Sequence, residues 1–338
     1  MFDKLRSGRC YIIAEIGGNF IAYEQARELI DAAVFAGVDA VKLQTFRAET
    51  ISNKSAMFDM ESTGVISQYE YFKKYELDKA LHKRIFDYAK AKGIDCFSTP
   101  SHPDDVDMLC ALGVNCYKIG ADDATNLPFL KYVARKMCPV ILSTGMCTIM
   151  EVEEAVNSIL EEGNNQIVIL HTISGYPTRP EFVNLNNILT LKSKFPHHFV
   201  GFSDHTLTTV AAIAAATMGA SVVERHFTLD KNAEGPDHII SSTPDEMKHI
   251  VDTIREIELM KGSYIKMPYG PENENRRNNR KSVVAIKPIK KGDVLTENNV
   301  YLKRPGMGIS PKLFESVLGK VARKDINEDA VLIWEDFG

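Results

Sequence analysis

Two lysines and two glutamates stand inside four β-like runs of this 338-residue chain: Glu15 in YIIAEIG, Lys42 in DAVKLQT, Lys118 in CYKIG and Glu224 in SVVERHF. Successive side chains along a strand point to opposite faces, so residues two apart share a face. Applied to all such runs, the rule gives an inward set of Ile13 and Glu15, Lys42 and Gln44, Phe97 and Thr99, Cys116 and Lys118, and Ile169 and His171. Gly201, Ser203 and His205, then Val222, Glu224 and His226, complete it. The polar members fall toward the C-terminal ends of the runs. A buried ammonium must find an anion or lose its proton. Glu15 and Glu224 could serve as structural partners; a bound phosphate or carboxylate is the functional alternative. The small-residue turn Ser143-Thr144-Gly145 favours the second, because it offers backbone N–H groups and hydroxyls to an anion. A local cationic pocket of this kind suits a small, highly charged substrate. His205 and His226 end consecutive runs near the two glutamates. Two imidazoles suit a loosely held six-coordinate Mn²⁺ or Mg²⁺ better than catalytic Zn²⁺, which takes three protein ligands.

Eight runs are needed to carry this set: residues 11–17, 39–45, 95–99, 116–120, 139–144, 167–172, 199–204 and 221–227. Amphipathic segments ending on glycine lie between them, among them YEQARELIDAAVFAG and DKALHKRIFDYAKAKG. Strand and helix alternating eight times predict an α/β fold, a (β/α)8 TIM barrel whose chemistry sits at the C-terminal ends of its strands. An open doubly wound sheet is the alternative, but IGGNF after the first run lacks the G-x-G-x-x-G spacing of a dinucleotide fold. Residues 46–77, with Tyr69, Tyr71 and Tyr75, read as a loop excursion over the barrel mouth. The domains expected are a barrel over 1–265, a polar linker without period over 266–281, and a small β-rich module over 282–338.

Composition removes other classes. Forty basic against forty-five acidic residues leave a net charge of −5, with no basic field for nucleic acid or an anionic membrane. No apolar stretch approaches the roughly 18 residues of a membrane span, and the N-terminus has no signal-peptide cleavage pattern. Six cysteines without a C-x-x-C pair read as reduced thiols of a cytoplasmic protein.

The motifs AEIG at 14–17, KLQT at 42–45, STP at 98–100, YKIG at 117–120, ILSTGM at 141–146, YPT at 176–178, GFSDHT at 201–206, ERHF at 224–227 and GPDH at 235–238 run through the barrel in order. With them the chain resembles the sialic acid synthase family, which includes legionaminic and pseudaminic acid synthases. AIKPIKKGDVLTENNVYLKRPGMGIS resembles that family's antifreeze-like, or SAF, domain. The resemblance implies condensation of phosphoenolpyruvate with N-acetylmannosamine or a related acetamido hexose, releasing phosphate and giving a 3-deoxy nonulosonic acid. A 2,4-diacetamido-2,4,6-trideoxymannose acceptor is the alternative. It further implies that Lys42, Thr99, Lys118, Ser143 and Ser203 hold phosphoenolpyruvate, and that His205 and His226 bind the metal. Gln44, Tyr69, Asp123, Tyr176 and Asp237 would line the sugar pocket. Glu15 matches a carboxylate near the reacting carbons, and Arg304 an arginine that the partner of a domain-swapped homodimer inserts over the sugar.

The chain departs from the family at Gly18-Asn19-Phe20-Ile21, at Ala121-Asp122-Asp123 and at Ser174, all on the substrate rim. The chemistry expected is attack by C3 of phosphoenolpyruvate on the sugar aldehyde, with Glu15 or Glu224 as base for the water that captures C2. Rival readings are a Schiff-base aldolase using Lys42 or Lys118, and a carbohydrate- or ice-binding C-terminal module on a barrel scaffold.

Overall fold

All eight β-like runs form strands. In chain order with an intervening hairpin, the strands are β1 Tyr11–Glu15, β2 Ala40–Thr45, β3 Met57–Met60, β4 Gly64–Ser67, β5 Asp95–Pro100, β6 Tyr117–Ile119, β7 Val140–Ser143, β8 Ile167–Thr172, β9 Phe199–Asp204, β10 Val222–His226, β11 Ser282–Ala285 and β12 Val300–Lys303. The computed structural model describes residues 1–60, 64–235 and 237–338. It divides into two compact units, Met1–Gly262 and Ser263–Gly338.

In the first unit, β1, β10, β9, β8, β7, β6, β5 and β2 close a parallel barrel in that order. β1 pairs with both β10 and β2, so no edge is left and the open-sheet alternative is excluded. Tyr11, Ile13, Ala40, Phe97, Cys116, Ile141, Val168, Leu170 and Val222 belong to one buried apolar cluster on which the polar residues rest. Ile12, Ala14, Val41 and Leu43, one step out of phase, pack outward against helices. The helices end where their sequences say. Gly37 and Gly93 close Tyr23–Ala36 and Lys79–Lys92 at φ of 81° and 72°, a conformation that glycine adopts without strain. Thr148 and Glu151 form a capping box at Ile149–Glu161.

The barrel's N-terminal end is tied by Asp39, whose carboxylate pairs with Lys4 at 3.0 Å and Arg255 at 2.7 Å and accepts from the Ile12 N–H. The excursion at 46–77 is more ordered than a loop: it holds the short helix Ala48–Ile51, the β3–β4 hairpin and the helix Gln68–Tyr75. Phe46, Phe58, Tyr71 and Phe72 pack edge-to-face there, with ring centroids 5.0–5.7 Å apart. Among the described residues no helix is long and apolar enough to cross a membrane.

The second unit surrounds a core of its own, including Val283, Leu295, Val300, Ile309, Val317, Leu332 and Phe337. β11 and β12 pair antiparallel. Residues 266–281, expected as a linker without period, contain the helix Glu272–Asn279. All of its side chains are exposed, so it has no apolar stripe for a periodicity search to find. Its C-terminal end meets the KRPG turn: Gly306 N–H donates to Arg277 O at 2.7 Å, and a Cβ on Gly306 would stand 2.6 Å from Arg280 Cβ.

Candidate active site

The strand register brings the polar residues together at the C-terminal end of the barrel. Glu15 is paired with Lys42 and His226, Gln44 with Thr99, and Glu224 with Ser203. Glu15 and Lys42 form an ion pair, and Lys42 Nζ donates to Thr99 Oγ1 at 3.0 Å. Lys118 Nζ donates to Ser143 Oγ at 2.6 Å and to Ile119 O at 3.1 Å. Glu224 Oε1 lies between the two ammoniums, 3.9 Å from Lys42 and 3.7 Å from Lys118, and accepts from Ser203 Oγ at 3.0 Å.

These contacts correct one expectation. Two ammoniums and two carboxylates sum to zero, so the cluster by itself is a balanced ionic network rather than a cationic pocket. Burial would raise the Glu224 pKa, but Lys118, Lys42 and the Ser203 hydroxyl outweigh it and hold the carboxyl below its ordinary value. Lys42 is brought down to about 8 by burial, against the pull of Glu224 and with a smaller push from Lys118. It therefore remains mostly protonated at neutral pH.

Beside this cluster the rings of His205 and His226 lie 5.5 Å apart. His205 Nδ1 donates to Ile173 O at 2.8 Å, leaving Nε2 as the unprotonated ring nitrogen of the neutral imidazole. Tyr176 stacks on His205 at 4.2 Å. His226 Nδ1 is buried without a hydrogen-bond partner, 3.6 Å from Asp237 Oδ2. Burial lowers both histidine pKa values, that of His226 furthest, with His205 and Lys42 adding to the effect. Asp237 moves the opposite way, up to about 7, because burial disfavours its charge. Two neutral imidazoles, one oriented by a backbone carbonyl and the other with an unsatisfied nitrogen, fit a divalent ion. Among the described residues no three His, Cys, Asp or Glu side chains gather to hold one, so its other ligands would be water and substrate.

Three sequence expectations need adjustment. In β8 the inward phase is Val168, Leu170 and Thr172, not Ile169 and His171. Thr172 pairs with inward Ser203 and Leu170 with inward Ser143, while His171 pairs with outward Phe202 and bonds Val183 O at 2.7 Å. Every residue of β8 is buried, so both faces read alike in sequence.

Tyr69 stands apart from the site, its hydroxyl donating to exposed Glu49 at 3.1 Å and its ring facing Lys54. Tyr71, two residues on and on another side of the same helix, reaches it instead. A Cβ on Gly18 would meet Tyr71 Oη at 3.4 Å and Asp237 Oδ2 at 3.1 Å, and Tyr71 is 4.8 Å from Tyr75. The i, i+4 spacing of Tyr71 and Tyr75 was the available signal.

Asp123 accepts from Asn126 at 2.9 Å within its own loop. Asp122, after Glu224 and Asp237, is among the acids whose charge reaches Lys42 and Tyr176, and Asp123 is not. Arg304 belongs to the second unit, exposed at the end of β12.

Two buried groups escaped the alternation rule. Asn19, in the loop after β1, donates to Phe227 O at 2.9 Å and Ser241 Oγ at 3.0 Å, bracing the segment that carries Asp237. Arg225 and Asp204, both fully buried, pair on the outer face of β9 and β10 behind the two histidines.

The NeuB family model matches residues 29–266, and the SAF domain model residues 280–338. Over 328 residues, 95% of this chain and 98% of the relative, the sequence is 41% identical to an N,N'-diacetyllegionaminic acid synthase of Campylobacter jejuni. It is 36% identical over 334 residues to a pseudaminic acid synthase of the same species, covering 97% of each chain. The crystal structure of the N-acetylneuraminic acid (sialic acid) synthetase of Leptospira borgpetersenii, in complex with citrate, is similar with a TM-score of 0.70 and 30% identity. That match covers 79% of this chain and 90% of the other.

Proposed function

The chain belongs to the NeuB family and carries a SAF domain, and from that premise we propose that it joins phosphoenolpyruvate to an acetamido hexose of the N-acetylmannosamine type. The reaction class, a nonulosonic acid synthase, follows from its relatives. The observation that carries the substrate reading is the convergence of buried Lys42 and Lys118 on Glu224, beside His205 and His226.

In this reading the phosphate and carboxylate of phosphoenolpyruvate take the lysines from their internal partners, with Thr99, Ser143 and Ser203 supplying hydroxyls. Displaced from Lys42, Glu15 becomes free to accept a proton from the water that adds at C2. Glu224, which two ammoniums and a hydroxyl hold ionised before the anion arrives, is the alternative base. Lys118, held beside Ser143, stabilises the departing phosphate. Mn²⁺ or Mg²⁺ held by His205 and His226 would polarise the sugar aldehyde. Gln44, Tyr71, Tyr176 and Asp237 orient the sugar, and Tyr176 fixes the His205 ring by stacking. The second unit, with Arg304, closes over the sugar of a partner protomer and excludes water.

A 2,4-diacetamido-2,4,6-trideoxymannose acceptor is a second reading, favoured by the 41% identity to the legionaminic acid synthase. The test is phosphate release and product mass from purified full-length protein with phosphoenolpyruvate, Mn²⁺ and a panel of mono- and diacetamido hexoses. Release that depends on one of these sugars, with a product heavier than that sugar by the mass of one pyruvic acid, is expected. Release without sugar, or borohydride trapping of Lys42 or Lys118 with substrate, would overturn the reading in favour of another lysine chemistry.

A further inference from the structure

The side chains of Asp204 and Arg225 bond away from the lysine cluster, to each other, Thr206 and Ser242. Each occupies the position before a histidine, Asp204 before His205 and Arg225 before His226, and the strand register sets the two directly opposite each other in β9 and β10. The Arg225 guanidinium reaches four groups. Nη1 pairs with Asp204 Oδ2 and lies 3.5 Å from Thr206 Oγ1, Nη2 donates to Thr206 O at 2.8 Å, and Nε donates to Ser242 Oγ. Asp204 Oδ1 in turn accepts from Thr206 N–H at 2.8 Å, and Ser242 N–H donates to His226 O at 2.7 Å. The main chain on both sides of His205, and the carbonyl of His226, are therefore tied through one planar group.

We infer that Asp204 and Arg225 are positioning residues that fix the separation of the His205 and His226 rings and so set how tightly a divalent ion is held. The inference rests on the metal reading of those histidines. A purely structural pair would stabilise the barrel and leave metal affinity alone, since a buried ion pair can be replaced by apolar groups of similar volume at little net loss of stability. The geometry argues for more. A lysine at 225 keeps the charge but cannot span Asp204, Thr206 and Ser242 at once, because only guanidinium presents a fork of fixed donors.

The test is calorimetric titration of Mn²⁺ into the full-length wild type, Asp204→Asn, and the paired variant Asp204→Leu/Arg225→Met, with circular dichroism to verify the fold. Asp204→Asn keeps an acceptor for Thr206 N–H but leaves the Arg225 charge unpaired, which is strongly destabilising; the paired variant leaves no unpaired charge and is the one expected to keep wild-type stability. The Mn²⁺ dissociation constant should rise about tenfold or more in each variant, the size seen when groups supporting metal ligands are removed. The Mn²⁺ concentration for half-maximal rate should rise in parallel while the KM for phosphoenolpyruvate stays put. Folded variants with wild-type Mn²⁺ affinity would reduce the pair to a structural one. A wild type that binds no Mn²⁺ would remove the metal reading and this inference with it.

Discussion

Glu224→Gln isolates the ionic balance of the site. The carboxylate oxygen lies 3.7 Å from Lys118 and 3.9 Å from Lys42. At an effective dielectric constant near 20, each contact has a gross attraction of about 4 kcal/mol. Relief of the carboxylate's burial offsets part of this, and breaking a buried pair by removing one partner leaves a net loss of about 3–5 kcal/mol. For a unit of this size that corresponds to a fall in Tm of roughly 6–20 °C. The same change frees Lys118 and loosens Lys42, which keeps its Glu15 partner, so phosphoenolpyruvate should bind more tightly, by about tenfold if ~1.4 kcal/mol of that freed attraction reaches the ligand. The assay is differential scanning calorimetry of wild type and variant, with and without saturating phosphoenolpyruvate. The ligand should raise Tm more in Glu224→Gln than in wild type, restoring part of the loss. A variant with wild-type Tm, or one whose affinity for phosphoenolpyruvate falls, would refute the reasoning.

Kinetics can tell whether Tyr71 or Tyr69 meets the acceptor sugar. Tyr71→Phe should raise the acceptor-sugar KM about 3- to 10-fold, the equivalent of one lost hydrogen bond, while Tyr69→Phe leaves it unchanged; equal effects would reject the assignment. Asp105 supplies a pH test away from the site. Burial pushes its carboxyl up to about 6, above the unfolded value near 3.9. The native state then holds a proton that the unfolded chain has released, so this group's contribution to stability falls as pH rises from about 4 to 6 and stays reduced above that. Asp105→Asn should therefore match wild type in urea denaturation near pH 4 and exceed it near pH 7; a difference independent of pH would contradict this.

The barrel was legible because its strands repeat one signal eight times, and because two-residue periodicity places Glu15, Lys42, Lys118, Ser203 and Glu224 on one side. The same rule failed on β8, where both faces are buried and nothing in IVILHT marks the inward phase. It could not find Asp204 and Arg225, because a polar residue facing a helix layer looks like a solvent-facing one until its partner is known. Outside the strands, period gives way to loop geometry. The choice between Tyr69 and Tyr71, or between Asp122 and Asp123, turns on the start of a helix or a 3₁₀ turn, which sequence locates only to within a residue or two.

A balanced ionic cluster is a different device from the cationic pocket expected of an anion site. Unpaired ammoniums at this depth are costly; the pairs with Glu15 and Glu224 hold Lys42 and Lys118 in place by contacts that, in the proposed reaction, the substrate's own anionic groups would replace. Each replacement returns part of the internal attraction, so binding is weaker than the lysine count suggests. In exchange the lysines are oriented before substrate arrives, which is the condition under which electrostatic stabilisation of a leaving phosphate is most effective. In the proposed reaction the exchange would also link binding to chemistry, because Glu15 would become a free base only once an anion had taken Lys42 from it.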